Sequence, residues 1–158
     1  MTVRPVRPDD VPAVVGLVRE LADYEKALHE ARLTEEPLTG AVFGESPALF
    51  GHVAEVDGEI AGIALWFLNF STWRGTHGIY LEDLYVSPAH RGSGLGRELL
   101  RMLAEVCVER GYSRLEWSVL DWNTPSIEFY KAAGAVAMDE WTVIRLTDDA
   151  LSTFATRR

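Results

Sequence analysis

The sequence predicts an α/β protein, a mixed sheet with helices, and three observations carry that expectation. The first is a set of consecutive strand-like runs in the middle of the chain, two of them joined by Asp57-Gly58, a dipeptide that tolerates the positive φ angles of a tight hairpin. The second is the change after Val86 to alternating helix and strand patterns, which makes the sheet antiparallel early and parallel across a central crossover. The third is size. A chain of 158 residues, 47% hydrophobic and 25% charged, has the length and composition of one globular domain, so residues 1–158 are read as a single domain without repeats or linkers.

The elements follow in order. A short strand near Val3 precedes Asp9 and Asp10, read as caps, and Pro12 in a first helical turn. Val11, Val14, Val15, Val18, Leu21 and Ala22 then recur at helical spacing up to an end near Ala27. Thr34, with Glu35, Glu36 and Pro37 behind it, caps a second short helix, because carboxylates in a first turn meet the positive end of the backbone dipole. Phe50 to Val56, Glu59 to Phe70 and His77 to Val86 make an antiparallel meander. Leu95, Leu99, Leu100, Leu103, Ala104 and Cys107 mark a helix that stops at Gly111. Arg114 to Leu120 reads as a strand, Thr124 to Ala133 as a helix ended by Gly134, and Val136 to Leu146 as a final strand.

Composition narrows the function. Cys107 is the only cysteine and falls on the apolar side of its helix, so it reads as core, with no intrachain disulfide or cysteine zinc site. His29, His52, His77 and His90 show no ligand spacing, and no metal is expected. The longest apolar run, Ile60 to Phe70, is too short to span a bilayer, and MTVRPVRPDD has no apolar core behind its basic residues. The expectation is a cytoplasmic protein without membrane attachment. A net charge of −9 argues against nucleic acid as a partner; it suits a small cationic molecule, and it equally suits an acidic protein that is merely soluble.

The most informative stretch is Arg91-Gly92-Ser93-Gly94-Leu95-Gly96-Arg97, placed between a strand and a helix. Small residues let the backbone approach an anion, and the helix start offers N–H groups without internal partners. No Lys-Ser or Lys-Thr pair closes the loop, and its glycine spacing is not the dinucleotide fingerprint. Two readings stand at this point: a cradle for a ligand with a pyrophosphate and a long neutral arm, which coenzyme A fits, or a turn that only joins strand to helix.

Arg91-x-x-Gly94-x-Gly96 after Leu81 to Val86 resembles the acetyl-CoA motif of the GCN5-related N-acetyltransferases (GNAT), and Asn123-Thr124-Pro125-Ser126-Ile127-Glu128-Phe129-Tyr130 followed by Gly134 resembles that superfamily's second signature. Glu20-Leu21-Ala22-Asp23-Tyr24-Glu25, Ser71-Thr72-Trp73, Tyr80-Leu81-Glu82-Asp83 and Val119-Leu120-Asp121-Trp122-Asn123 narrow the likeness to the diamine and thialysine N-acetyltransferases, nearly end to end. The resemblance implies the GNAT fold, with a splayed central pair of parallel strands, and acetyl-CoA as cosubstrate. It implies that backbone groups of Leu84, Tyr85 and Val86 pair with the pantetheine arm. It also implies that Arg91 and the stretch Gly92, Ser93, Gly94, Leu95, Gly96 and Arg97 serve the pyrophosphate, and that Asn123 and Ser126 hold the cofactor's far side. Tyr130 would lie near the sulfur.

Acetyl transfer to an amine needs a neutral nucleophile, whereas an alkyl ammonium has a pKa of about 10, so a base must take a proton first. Glu82 is the candidate, read as alternating with Tyr80, Leu84 and Val86 on one strand face; the structural alternative is a Glu paired with a nearby Arg. The departing thiolate needs a proton, and Tyr130 is the candidate acid, though from sequence alone Phe129-Tyr130 reads as core packing. Tyr24, Glu25, Trp73, Asp83 and Trp141 resemble the family's amine-site positions, where carboxylates pair with ammonium groups and aromatic faces attract cations. Glu25 and Trp141 read equally well as a surface charge and a core ring. Asp83, one residue from Glu82, is expected on the other strand face, with a role across a dimer seam. Ser71 stands where polyamine-acetylating members carry an acidic residue, which favours small lysine-like or diamine substrates. Arg74 to Gly78 reads as a slightly lengthened loop. The family's habit implies a homodimer, with Val136 to Leu146 meeting the partner. Rival readings are a protein or aminoglycoside N-acetyltransferase and a non-catalytic acyl-CoA sensor.

Overall fold

Apolar periodicity sorts the first part of the chain as expected. The computed structural model describes residues 1–158 and divides into two compact units, Met1–Leu120 and Asp121–Arg158. The first unit holds a five-stranded sheet of β1 (Thr2–Pro5), β2 (Phe50–Val56), β3 (Glu59–Ser71), β4 (Thr76–Val86) and β5 (Leu115–Glu116), in that spatial order. The first three pairings are antiparallel and β4–β5 is parallel. The crossover between β4 and β5 is α3 (Leu95–Arg110), while α1 (Val11–Tyr24) and α2 (Glu35–Phe43) lie between β1 and β2 in sequence.

Each helix buries most of the stripe its spacing marks, with Leu17 added in α1 and Ala104 left exposed in α3. Val11, Val14 and Leu17 of α1 and Leu38 of α2 join Val53, Ile63, Leu65 and Tyr85 of the sheet in one core cluster. Leu95, Leu99, Leu100, Leu103 and Cys107 of α3 are buried against the other face, where a Cβ on Gly62 would stand 3.2 Å from a Leu99 methyl. Full burial of such a side chain contributes about 1.5–3 kcal/mol, so these two apolar layers dominate the unit's stability. The caps differ from expectation. Thr34 stands at the N-terminus of α2 without a side-chain bond to it, and the Asp10 carboxylate, instead of capping α1, accepts from the Arg7 amide and from the Arg4 guanidinium at 2.7 Å. α1 also ends at Tyr24, where Lys26 takes a positive φ, short of the expected Ala27.

β4 carries the feature that matters for function. Leu65 pairs with Asp83 and the next residue, Trp66, pairs with Leu81, so Glu82 is an extra residue, a bulge in β4. The bulge reverses the inward and outward alternation. Tyr80 faces the same side as Phe67, on which its ring stacks at 5.1 Å, and that side also takes Asp83 and Tyr85. Leu84 and Val86 turn to the α3 side with Ala64 and Gly62. The expected shared face of Tyr80, Glu82, Leu84 and Val86 is therefore wrong, because a period of two does not run through an inserted residue.

β5 is shorter than the expected Arg114 to Leu120. It pairs with β4 only at Ile79↔Leu115 and Tyr80↔Glu116, because a bulge bends its strand and the parallel neighbour cannot follow. The expected loop from Arg74 to Gly78 is also mostly strand, with the turn confined to residues 72–75.

The second unit contains α4 (Thr124–Ala132) and α5 (Asp148–Thr156). The expected final strand from Val136 to Leu146 is absent. A turn at Asp139–Glu140, closed by the Trp141 amide on the Met138 carbonyl at 3.1 Å, breaks the run, and no neighbouring strand ladders with it. Val136, Val143 and Ile144 of this run are at least 80% exposed. α5 was not expected, although Thr147 followed by Asp148 and Asp149 is the usual signal for a helix start.

Candidate active site

The site begins where β4 loses its second neighbour. Up to Tyr80 the strand is bonded on both sides: the Ile79 amide donates to the Arg114 carbonyl at 3.0 Å, and the His77 carbonyl accepts from the Ser113 amide at 3.1 Å. The last tie is between side chains, the Tyr80 hydroxyl and Ser118 Oγ at 2.7 Å. Past Glu82 only β3 is paired. The alternation gives the backbone groups of Asp83 and Tyr85 to Leu65 and Ile63, and turns those of Leu84 and Val86 to the open edge. An unpaired strand edge is a template for an extended ligand, and a pantetheine arm with its two amides has that shape.

The glycine loop leads from this edge into α3. Gly92 and Gly94 have φ of 78° and 86°, which side-chain-bearing residues rarely adopt, and no atom lies within 4 Å of where a Cβ would be. Gly94 is the N-cap of α3, and the Glu98 amide is the first to bond back to it, at 3.0 Å. The amides of Leu95, Gly96 and Arg97 are thus first-turn donors with a helix dipole behind them, and Ser93 turns its hydroxyl to the His90 carbonyl. An open, positively polarised cradle beside an unpaired strand edge fits the diphosphate and arm of coenzyme A.

Carboxylates gather at the bulge. Glu82 is exposed, and Asp83 is half-buried on the α1 side of the sheet. Burial, then the charges of Glu82 and Glu25, push the Asp83 carboxyl up to about 6, so Glu25 at the end of α1 and the two strand carboxylates share one field. Burial raises Glu25 as well. Asp83 therefore lies within the field of Glu25. Repulsion between like charges held close is relieved when a cation enters among them.

The Arg91 side chain turns toward this α1 side. Its guanidinium lies 5.2 Å from the Tyr24 ring centre and 5.4 Å from that of Tyr85, and its Nε donates to the Val86 carbonyl at 3.2 Å. Tyr85 is itself raised by burial and by Glu20. Trp73 projects from the β3–β4 turn, 90% exposed, and Ser71 beneath it is buried and accepts from the Arg74 amide at 3.1 Å, so Ser71 shapes the turn. In the second unit, Asn123 caps α4 by accepting from the Ser126 amide at 3.4 Å. Tyr130 lies on α4 with its ring 5.4 Å from that of Phe129, and Trp141 is 68% exposed.

Three features escape the sequence reading: the bulge, the Arg91 sandwich and the Tyr80–Ser118 tie. Each joins residues distant along the chain or depends on strand register, and neither is a composition signal. The Tyr80 ring shortly before a Glu-Asp pair is the one local hint.

Comparisons with known proteins give the family and the fold. The acetyltransferase (GNAT) family model matches residues 16–135. A thialysine N-epsilon-acetyltransferase of Bos taurus is 37% identical over 97% of this chain and 96% of its own length, and one of Caenorhabditis elegans is 35% identical over 95% and 94%. Among solved structures, an integron cassette protein from the mobile metagenome of V. cholerae superposes with a TM-score of 0.82 at 25% identity, covering 98% of this chain and 97% of that one. With this family match over most of its length and with this fold, the chain belongs to the GNAT acetyltransferase family and is an acetyl-CoA-dependent acetyltransferase.

Proposed function

We propose that this enzyme acetylates the primary amine of a small cationic compound of the thialysine, lysine or diamine kind, by direct attack of the amine. The observation that carries the reading is the field shared by Glu25, Glu82 and Asp83 at the point where β4 opens, a site that selects a cation beside a cradle that selects a diphosphate. The near full-length likeness to thialysine N-epsilon-acetyltransferases supports the same substrate class.

Acetyl-CoA supplies the activated thioester. Asp83 and Glu25 attract the ammonium group, and Trp73 and Trp141 offer faces on which a cationic chain gains about 0.5–2 kcal/mol. Glu82, exposed on the bulge, takes a proton from the ammonium nitrogen, directly or through one water, which frees the lone pair for the acyl carbon. Tyr130 gives its phenolic proton to the sulfur as the carbon–sulfur bond breaks, and the second proton leaving the attacking nitrogen restores the phenol. Leu84 and Val86 main-chain groups, with Tyr85 between them, and the amides of residues 92–97 set the donor's position, while Asn123 and Ser126 serve its far side.

We read the chain as one catalytic domain, since the family match extends from the first unit into the second and the Bos taurus relative matches 97% of the chain. It acts as a cytoplasmic homodimer in which the exposed run from Val136 to Leu146 meets a second copy; no helix is long and apolar enough to cross a membrane. Sedimentation of the purified chain as a monomer at micromolar concentration would remove the dimer. The reading as a whole is tested by thiol release from acetyl-CoA across lysine, thialysine, diamines, spermidine, aminoglycosides and peptide amines. Turnover is expected with the small diamines, lysine or thialysine. Turnover confined to aminoglycosides or peptides, or binding of acetyl-CoA with no amine accepted, would contradict it.

A further inference from the structure

We infer that Arg91, although it opens the glycine motif, is a positioning residue for the amine side of the site: it ties the end of α1 to the open half of β4. Three contacts carry this. The guanidinium lies over the Tyr24 ring at 5.2 Å and over the Tyr85 ring at 5.4 Å, and Nε is held by the Val86 carbonyl at 3.2 Å. Tyr24 is the last residue of α1, and Glu25, the next, contributes to the field that raises Asp83. Beyond Tyr24 the chain leaves the helix through Lys26 at a positive φ, and the amides of Glu25, Lys26 and Ala27 bond back to the carbonyls of Leu21, Asp23 and Ala22, so the turn carrying Glu25 moves with the end of α1. A planar cation between two aromatic faces, with one N–H fixed on a carbonyl, is a geometry that lysine cannot reproduce.

Phosphate binding then rests on the main-chain amides of the loop and of α3, and the Arg91 side chain transmits the loop's position to Glu25. Occupation of the cradle and order at the amine subsite become coupled through one side chain. The inference rests on the proposed amine reading for its kinetic consequence, but not for the tie itself.

The test compares Arg91→Gln, Arg91→Lys and Tyr24→Leu with the natural enzyme. Acetyl-CoA affinity is measured by calorimetry, steady-state kinetics use thialysine, and amide hydrogen exchange is followed at Glu25, Lys26 and Ala27 without any ligand. Arg91→Gln and Arg91→Lys are expected to raise the thialysine KM by roughly tenfold, the scale of two exposed cation–ring contacts, with kcat and acetyl-CoA affinity within about twofold. Tyr24→Leu should reproduce the loss, and adding Arg91→Gln to it should cost little more. Exchange at the three amides should quicken in Arg91→Gln and in Tyr24→Leu. If Arg91→Gln instead weakens acetyl-CoA binding and leaves the thialysine KM unchanged, the side chain is a phosphate ligand and the inference falls. If thialysine is not a substrate even of the natural enzyme, the amine reading has failed, and unchanged exchange at residues 25–27 in Arg91→Gln would still overturn the tie.

Discussion

The two halves of β4 have nearly the same sequence character and opposite tasks. From Thr76 to Leu81 the strand lies between β3 and β5, with Gly78 packed so closely that a Cβ would stand 2.8 Å from both the Arg114 carbonyl oxygen and Asn69 Oδ1. From Asp83 to Val86 it has β3 on one side and nothing paired on the other. A single inserted residue, Glu82, separates a half that holds the sheet together from a half that keeps its hydrogen-bonding groups for a ligand. The difference teaches that one inserted residue is enough to end a strand pair early, and on the proposed reading the acidic residue at the break is the base.

The comparison can be broken from either side. The largest effect is expected at the break: Glu82→Gln should lower kcat by about 10²- to 10⁴-fold, the range for losing a general base, with acetyl-CoA affinity unchanged. Turnover within threefold of the natural enzyme would take Glu82 out of the chemistry. In the paired half, Gly78→Ala should destabilise by roughly 1–3 kcal/mol through overpacking against backbone that cannot retreat, and thermal unfolding would show a lower Tm. An unchanged Tm would mean that β4 and β5 are less tightly joined than their contacts indicate. Tyr130→Phe should cost at least about tenfold in turnover with little change in acetyl-CoA affinity, and equal turnover would deny it the role of acid.

The smallest effect is in pH dependence. Asp83 is raised to about 6, so it is neutral below that pH and charged above it. Ionisation is therefore unfavourable to the fold: stability present at pH 4 declines as pH rises toward about 6, and Asp83→Asn should raise Tm at pH 8 but not at pH 4. Amine binding runs the other way, because only the charged form attracts an ammonium. The amine KM should rise as pH falls through 6, and Glu25→Gln, which removes one of the charges that raise Asp83, should move that limb to lower pH. A limb that stays in place would separate Glu25 from Asp83.

Much of this was legible in the residues. β2 was read from Phe50 to Val56 as found, and the leucines of α3 mark its buried stripe without error, because burial on one face is what imposes period. The glycine loop was legible because a positive φ has few other solutions. The early end of β5 and the face of Tyr80 were not, since both follow from register, and register shifts with one residue that composition does not distinguish. Val136 to Leu146 has the β-branched and aromatic content of a strand, but a strand exists only with a partner, and sequence pattern does not supply one. Arg91 was legible as part of a motif and not as a tie to Tyr24, a residue far from it along the chain.

The most direct test of the account is amide hydrogen exchange across β4 and α3 with and without acetyl-CoA. Slowed exchange is expected at Leu84, Val86 and Leu95 to Arg97, with no change at Ile79, whose amide already bonds to the Arg114 carbonyl. Unchanged exchange at the open half and the helix start, in enzyme that calorimetry shows to be saturated, would mean that the donor binds elsewhere.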